Sequence, residues 1–221
     1  MTLKPVAHIE NDFSTKFGLP RQSGLNPALR SRVVLEKGYG ADYIRGIEEY
    51  SHLWLLWRFD VPSGEKATVR PPRLGGNERK GVFATRSPFR PNPLGLTVVR
   101  LEGTEITDSG VILTVSGADL MNGTVIYDLK PYIPYADCVP DARGSFAEEH
   151  RNDRVRVVFP PELLEKIPSD KQNALTEALA EDPRPAYQDD PDRTYGFVYA
   201  GRNVRFSVRD GVLTVKEIKE L

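Results

Sequence analysis

The segment from residue 81 to residue 95, GVFATRSPFRPNPLG, combines chemically capable side chains with a stiff backbone. Each of its prolines holds φ near about −65° and pushes the preceding residue toward an extended conformation. Arg86, Arg90 and Asn92 are therefore presented from a rigid loop. Guanidinium groups held in this way suit a phosphate, a carboxylate or a base edge. We interpret the segment as a binding loop, and the alternative is a surface connection whose arginines only interact with solvent.

The charge distribution supports a ligand or RNA footprint near this loop. The chain of 221 residues has a formal net charge of −1, so it has no global basic field that would attract a polyanion. Between Lys66 and Arg90, however, seven basic residues face one acid, Glu78. That local excess can neutralise several phosphates and would make binding depend on salt concentration. The alternative is a solvated charged face.

The composition is that of an ordinary globular protein, with 39% hydrophobic and 28% charged residues. No apolar run approaches the roughly 18 residues that span a membrane, and residues 1–5 lack the apolar core of a secretory signal. Cys138 is the single cysteine, which excludes an internal disulfide and fits a reducing cytoplasm. His8, His52 and His150 are scattered along the chain, so we predict no metal site.

The first part of the chain is predicted to be mainly β. Short apolar or alternating runs predict strands at residues 6–11, 31–36, 52–60, 81–85, 96–102, 111–117 and 125–129. A hairpin turn is expected at residues 108–110 and a short helix at residues 42–50. No β-α-β alternation and no GxGxxG motif appears, which argues against a Rossmann-like sheet. We predict an antiparallel single-sheet β-barrel, because short antiparallel strands must remove their edges.

The residue pattern of the sequence changes around residues 140 to 155. Beyond this point we predict a strand at 155–159, a helical stretch at 161–181 that is interrupted at Pro168, and three strands between residues 195 and 218. Asp210-Gly211 is a strong signal for a hairpin turn. The predicted organisation is a β-barrel domain at residues 1–145, which we expect to bind a cofactor, and a small α+β domain at residues 152–221.

Several blocks of the chain, in order, resemble a known family. They are residues 20–25, 51–56, 69–77, 81–95 and 128–137, with weaker similarity at 182–187. These blocks are similar to the TsaA-like (TrmO) family, whose characterised bacterial members are S-adenosylmethionine-dependent tRNA methyltransferases. They methylate the exocyclic nitrogen of threonylcarbamoyladenosine beside the anticodon, at position 37. The resemblance implies a barrel that binds S-adenosylmethionine outside the Rossmann class, and a cytoplasmic homodimer whose site is built at the subunit interface.

The resemblance also implies cofactor-binding residues. The matching positions are Pro20, Arg21, Gln22, His52, Leu53, Arg86, Leu96, Asp119, Leu120, Met121 and Asn122. Arg86 is expected to pair with the cofactor carboxylate or ribose oxygens. Asp119 is expected to accept from the ribose hydroxyls or the ammonium group, and Gln22 to read the edge of adenine.

Structural alternatives stand beside these roles. His52 could be a hydrogen-bonded residue at the start of a strand, and Asp119 and Asn122 could cap a turn at Gly123. Asn122 also departs from the family pattern, in which an acid is common, so the resemblance carries over its backbone and not its side chain.

The acceptor nitrogen of threonylcarbamoyladenosine is urea-like and a poor nucleophile, but no catalytic histidine or paired carboxylate stands out in the sequence. The catalytic candidates are Asp119, Asp137, Arg90 and Asn92, and we expect positioning to contribute more than acid–base catalysis. The substrate-binding candidates for the carboxylate, the anticodon phosphates and an exposed base are Arg90, Asn92, Lys130, Tyr132 and Tyr135. Phe89 and Tyr187 are further stacking candidates, and core packing is the alternative for the aromatic residues.

Two other functions stay open at this point. A non-catalytic RNA-binding module would bind RNA with an affinity that S-adenosylmethionine does not change. A methyltransferase for a small metabolite would act on free nucleosides or amino-acid derivatives as fast as on tRNA.

Overall fold

An antiparallel barrel of six strands forms the N-terminal part of the molecule. A computed structural model describes residues 2–60, 64–71, 74, 78–149, 153–184 and 190–221. Its strands up to residue 131 are β1 Ala7–Glu10, β2 Arg30–Leu35, β3 His52–Arg58, β4 Thr68–Val69, β5 Lys80–Gly81, β6 Leu94–Thr107, β7 Gly110–Ser116 and β8 Val125–Pro131. The barrel order is β1-β2-β7-β6-β3-β8, and β1 pairs with β8 to close it. The predicted single-sheet barrel is confirmed.

Alternation of side chains closes the barrel around one core. On β3, Leu53, Leu55 and Trp57 are buried, whereas the residues between them face outward. The same period of two on the other strands completes a core that includes Ile9, Val33, Val99, Leu113, Val115 and Ile126. A slip of one residue in any strand would turn its apolar set outward, so this pattern determines the register.

The predicted helix at residues 42–50 is wrong. Two short 3₁₀ turns occupy this stretch, Ala41–Ile44 and Ile47–Glu49. Gly46 separates them with a left-handed backbone (φ 82°), which a right-handed helix cannot continue through. Tyr43 consequently lies on an exposed turn, with 69% of its surface accessible.

The predicted strand at residues 81–85 is also wrong. Pairing stops after β5, and Val82–Ala84 forms a 3₁₀ turn. The Val82 carbonyl accepts hydrogen bonds from the backbone nitrogen and the hydroxyl of Thr85 (3.1 and 2.9 Å), which ends the turn. An apolar run this short has no period that could distinguish a strand from a turn.

A four-stranded sheet with helices packed against it forms the C-terminal lobe. After the short helices α1 Pro134–Asp137 and α2 Phe146–Glu149 come β9 Arg156–Val158, α3 Pro161–Leu164, α4 Ser169–Ala180, β10 Tyr195–Tyr199, β11 Arg202–Arg209 and β12 Val212–Glu220. The sheet order is β10-β11-β12-β9, with β9 parallel to β12. Asp210 and Gly211 have φ values of 50° and 71°, as a two-residue hairpin turn requires. The predicted α+β lobe is confirmed, and no helix in the described residues is both long and apolar enough to cross a membrane.

The segment between β1 and β2 ties the barrel to the lobe. Phe13 and Leu29 are buried in the core of the lobe, where the Phe13 ring centroid lies 5.0 Å from that of Tyr199. Asn26 is also buried, and its Nδ2 donates a hydrogen bond to a backbone carbonyl of α4 (2.8 Å). Residues 20–22 therefore lie between two anchors in the lobe.

Candidate active site

A cavity of about 940 Å³ opens where one end of the barrel meets the β1–β2 segment, the lobe and the proline-rich loop, which is residues 85–95. Much of its wall is apolar and is built from Phe17, Leu19, Pro20, Trp57, Phe59 and Met121. Polar groups come from Asp119 after β7, from Gln22 on the β1–β2 segment and from Arg86 on the proline-rich loop. The described lining also includes basic residues: Lys16, Arg21, Lys66, Arg70, Arg79 and Arg184. An apolar pocket with a few convergent polar groups is the usual form of a small-molecule site.

A directed chain of hydrogen bonds leads from the barrel core to Asp119. Trp57 Nε1 donates to Thr97 Oγ1 (2.9 Å), and Thr97 Oγ1 donates to Asp119 Oδ1 (2.7 Å). The indole N–H can only donate, so the hydroxyl of Thr97 accepts from Trp57 and must use its one proton toward Asp119. Oδ1 of Asp119 is consequently an acceptor, and the carboxylate is held in one orientation at the cavity wall.

Burial raises the pKa of Asp119 above the ordinary range of an aspartate. The hydrogen bond from Thr97, backbone hydrogen bonds from Asp119 itself and Ser23, and the charge of Arg86 all lower the pKa, but burial is the larger effect. The negative charge is thus incompletely compensated within the protein. A cleft residue perturbed in this way is a candidate for ligand binding.

Gly95 is required by the position of Trp57. The two residues are paired across β3 and β6, and a Cβ atom at residue 95 would lie 2.2 Å from Cε2 of the indole. The ring therefore covers a site that only glycine leaves open. Gly95, the last residue of the proline-rich loop, thus makes room for the indole of Trp57, which is the first donor of the hydrogen-bond chain.

Arg86 and residues 20–22 form a second polar wall. Arg86 Nη1 donates to Gln22 Oε1 (2.6 Å), and Gln22 Nε2 donates to the carbonyl of Arg21 (2.6 Å). Arg21 Nη2 donates in turn to the carbonyl of Asp182, just after α4 (2.5 Å). The structure thus brings together, around one cavity, the predicted residues Pro20, Arg21, Gln22, Arg86, Asp119 and Met121.

Arg90 is directed at its own loop. Its Nη1 donates to the carbonyls of Thr85 and Ser87 (both 3.0 Å), so the guanidinium braces the proline-rich segment. Asn92 is exposed, and its carbonyl accepts from the backbone nitrogen of Leu94 (2.7 Å). Neither Arg90 nor Asn92 is among the described residues that line the cavity.

A second group of predicted residues lies on the outer face of β3 and just beyond β8. Trp54 Nε1 donates to Asp137 Oδ2 (3.0 Å), which also accepts from the backbone nitrogen of Ile133 (2.8 Å). These hydrogen bonds, first that of Ile133 and then that of Trp54, lower the pKa of Asp137. The Tyr132 ring centroid lies 5.8 Å from that of Trp54 and 6.3 Å from that of His52.

The two groups are separated on the barrel wall. His52 and Trp57 stand at opposite ends of β3 and face opposite sides of it. At about 3.3 Å per residue, their positions along the strand differ by about 16 Å. Asp119 and Asp137 therefore belong to different surfaces of this chain.

The remaining cofactor candidates have varied surroundings. The side chains of Leu53 and Leu120 are fully buried in the barrel core, so only their backbone groups could contact a ligand. Leu96 is 56% exposed on the outer face of β6. Asn122 Oδ1 accepts from the backbone nitrogen of Asn11 (3.0 Å), so this side chain holds the chain just after β1 and does not cap the turn at Gly123 considered above.

The substrate candidates near the outer face are accessible. Lys130 is exposed and forms an ion pair with Asp128 (2.9 Å), and Tyr135 is 91% exposed. Phe89 belongs to the cavity wall. Tyr187 lies outside the described residues.

Comparisons with known proteins identify the family. The model of the tRNA-methyltransferase O N-terminal domain matches residues 8–138, and that of the TrmO C-terminal domain matches residues 152–221. The chain belongs to the TrmO family. The resemblance inferred from the ordered sequence blocks is thereby confirmed.

Individual relatives agree with this family. The chain is 41% identical over 216 residues to a tRNA (adenine(37)-N6)-methyltransferase of Escherichia coli K12, which covers 93% of this chain and 92% of that protein. It is 41% identical over 207 residues to a putative S-adenosylmethionine-dependent methyltransferase of Pseudomonas aeruginosa, covering 88% and 87% of the two chains. A crystal structure of TrmO from Pseudomonas aeruginosa superposes with a TM-score of 0.79 at 32% identity, covering 99% of this chain and 98% of that one.

Sequence reasoning missed Thr97 and Trp57 as parts of this candidate site. The sequence contained a signal for Thr97, because Gly95, Thr97 and Val99 are the alternate residues of β6 that face the barrel interior. A polar residue in an otherwise apolar inward phase needs a buried partner. Thr97 is 1% exposed and has two such partners.

The substitution Thr97→Val tests the hydrogen-bond chain, because it removes the hydroxyl and keeps the side chain branched. It leaves Trp57 Nε1 without an acceptor and Asp119 without its donor. We expect the affinity for S-adenosylmethionine, measured by calorimetry, to fall about tenfold, since hydrogen bonds to charged groups contribute roughly 1.5–3 kcal/mol. Thr97→Ser keeps the hydroxyl and should retain affinity within about threefold. Equal losses in both variants would contradict a role for the hydroxyl.

The pH dependence of cofactor binding tests the state of Asp119. Because its pKa is raised, the carboxylate takes up a proton at higher pH than an ordinary aspartate. Affinity that depends on the carboxylate is complete above this pKa and is lost as the pH falls through it. We expect the dissociation constant for S-adenosylmethionine, titrated from about pH 7.5 to 4, to rise on acidification.

Three variants sharpen this pH experiment. Asp119→Asn should bind weakly at every pH, and Thr97→Val should lose affinity at a higher pH than the parent because a pKa-lowering hydrogen bond is gone. Asp42→Asn changes an exposed carboxylate away from the cavity and should keep the parental profile. An acid-side loss that persists in Asp119→Asn would show that another group titrates.

Proposed function

We propose that this protein transfers the methyl group of S-adenosylmethionine to the exocyclic nitrogen of threonylcarbamoyladenosine at position 37 of the tRNA anticodon loop, in the cytoplasm. As a member of the TrmO family, it is an S-adenosylmethionine-dependent tRNA N-methyltransferase that acts on N6 of adenine 37. Beyond this family activity, we propose the threonylcarbamoyl group as part of the substrate, a homodimer as the active form, and the residue roles described below.

The oriented carboxylate of Asp119 in an apolar cavity is the observation that carries the proposal. S-adenosylmethionine presents an ammonium group and ribose hydroxyls, which are donors suited to this acceptor. Its carboxylate and ribose oxygens suit the guanidinium of Arg86, and its adenine suits the apolar wall next to Gln22. A cavity of about 940 Å³ is at the upper end of small-molecule sites, so it has room for more than the cofactor alone.

Positioning is the main catalytic task that the residues can perform. When bound, the cofactor supplies a methyl group on a cationic sulfur, and the acceptor nitrogen must approach it in line. Orientation of two reactants can contribute about 7–11 kcal/mol to lowering a barrier. The loop that Arg90 braces and the strand end that carries Trp57 are rigid elements, so little reorganisation is needed when the reactants bind.

The proton of the acceptor nitrogen needs an acceptor of its own. Asp119 is the better of the two acidic candidates, because it lies at the cavity and its raised pKa makes it the stronger base. Asp137 has a lowered pKa, and one of its oxygens already accepts two hydrogen bonds. We assign Asp137 a positioning role, in which it holds Trp54 beside Tyr132.

A homodimer would join the two separated groups of residues. The outer face of β3 and its neighbours carries Trp54 and Tyr132 beside His52, and Leu96 opposite Leu56 further along the strand. These side chains give the face an apolar character that is unusual for the exterior of a barrel. A second copy of this chain that placed this face over the cavity would complete the site twice, by symmetry. Lys130 and Tyr135 would then approach the substrate beside the cavity, together with Asn92, whereas Arg90 would act by bracing the loop that carries Asn92.

Methyl transfer to defined tRNA tests the substrate. Purified protein is incubated with radiolabelled S-adenosylmethionine and tRNA prepared with or without the threonylcarbamoyl group. We expect label to enter only the tRNA that carries this group. Equal labelling of both tRNAs would contradict the proposed substrate, and equally fast labelling of the free nucleoside would favour a small-molecule methyltransferase. RNA binding without any transfer would favour an RNA-binding module.

Mixing of inactive variants tests the shared site. Asp119→Asn and His52→Ala should each have little activity alone. After subunit exchange, hybrid dimers contain one site without either substitution, so an equal mixture should recover up to about a quarter of the parental rate. His52→Ala mixed with Tyr132→Ala changes only the outer face and should recover nothing. A single species of 24.8 kDa in sedimentation, together with no recovery, would overturn the dimer.

A further inference from the structure

A second cavity of about 660 Å³ adjoins the first. The two share a wall made of Arg21, Gln22, Thr85, Arg86 and Phe146. The other lining residues come from the β1–β2 segment, from the 3₁₀ turn before the proline-rich loop and from the segment around α2: Leu25, Phe83, Ala84, Arg143, Gly144, Ser145 and Ala147. None of the roles assigned above uses the residues on this far side.

The lining of the second cavity is basic. It includes Arg21, Arg86 and Arg143, and no acid is among the described lining residues, although the carboxylate of Glu148 lies beside Gly144. The first two arginines are engaged with Asp182 and Gln22. Arg143 makes no hydrogen bond or ion pair within the described part of the chain, so it is available to an anionic ligand.

Phe83 gives this basic cavity an exposed aromatic face. The side chain is 78% exposed, although it belongs to an apolar run whose neighbour Val82 is buried. The guanidinium of Arg90 lies 6.0 Å from its ring centroid and is fixed by two loop carbonyls. The ring is thus supported from the protein side and open toward solvent. An aromatic face beside arginines is the combination that proteins use for single-stranded nucleic acid.

Continuity with the first cavity indicates which nucleotide would bind. An enzyme that modifies a base must take that base out of its stack, which also separates the neighbouring nucleotide from it. The neighbour then needs a surface directly beside the reacting base. The second cavity offers such a surface across the wall formed by Arg86 and Gln22.

We propose that the second cavity binds the anticodon-loop nucleotide adjacent to the methylated adenosine, with its base stacked on Phe83 and its phosphate paired with Arg143. This inference rests on the proposed function for the identity of the reacting base. It makes Phe83 and Arg143 determinants of RNA affinity that have no part in cofactor binding.

Substitutions at the two residues test the proposal in steady-state kinetics. Phe83→Ala should raise KM for tRNA about tenfold, and leave kcat and the dissociation constant of S-adenosylmethionine within about twofold. Arg143→Ala should weaken tRNA binding and reduce the slope of log affinity against log salt by roughly 0.7. Tyr43→Ala removes another exposed ring, which lines neither cavity, and should leave KM unchanged. Unchanged KM in both Phe83→Ala and Arg143→Ala would overturn the proposal, as would loss of cofactor affinity in either.

A binding measurement separates this proposal from the substrate assignment. In Phe83→Trp, an anticodon stem-loop should quench the added indole fluorescence even without the threonylcarbamoyl group, whereas Tyr43→Trp should show no quenching beyond the parent. With a stem-loop that carries the threonylcarbamoyl group, quenching without methyl transfer would support the nucleotide site and count against the proposed substrate. Methyl transfer without quenching would retain the enzyme and overturn the nucleotide site.

Discussion

The hydrogen bond from the indole of Trp57 to the hydroxyl of Thr97 is the interaction on which both the barrel end and the site depend. Trp57 belongs to the barrel core, and its ring occupies the space that Gly95 leaves open. An unpaired buried donor costs roughly 1–3 kcal/mol, so the ring cannot relax without a stability penalty. The donor-only chemistry of the indole then determines the direction of the next hydrogen bond, toward Asp119. Core packing and the orientation of the Asp119 carboxylate, which we propose binds the cofactor, are therefore one arrangement at this end of the barrel.

The C-terminal lobe acts on the same site through the backbone. A long connection between two barrel strands would sample many conformations on its own, and ordering its residues would oppose binding. Here Phe13 and Leu29 are buried in the lobe, and Arg21 reaches the carbonyl that follows α4. Residues 20–22 are thus held before any ligand arrives. The lobe contributes Pro183 and Arg184 to the cavity wall, but its larger contribution is this fixed loop.

The sequence was sufficient for the parts of the fold that repeat a period or a turn signal. The alternation of β3, the break at Pro168 and the turn at Asp210-Gly211 follow from local chemistry. Residues 81–85 and 42–50 were mispredicted, because a short apolar run and a single glycine do not determine whether a chain extends or turns. Arg90 illustrates the limit for side chains. An arginine suggests binding of an anion, whereas Arg90 donates to backbone carbonyls of its own loop. The sequence does not indicate which backbone carbonyls a side chain will contact.

The arrangement of the candidate residues follows from what a strand can do. Consecutive residues such as His52 and Leu53 point to opposite sides of a barrel wall, so a continuous block of residues on a strand cannot line one pocket. The inside of this barrel is filled by its core, which leaves a strand only two places to meet a ligand: its end, where Trp57 stands, and its outer face, where His52 stands. Residues on the outer face can serve chemistry at the barrel end only if another surface brings them there. A second copy of the same chain is the simplest source of that surface, because it already carries the residues in the required arrangement.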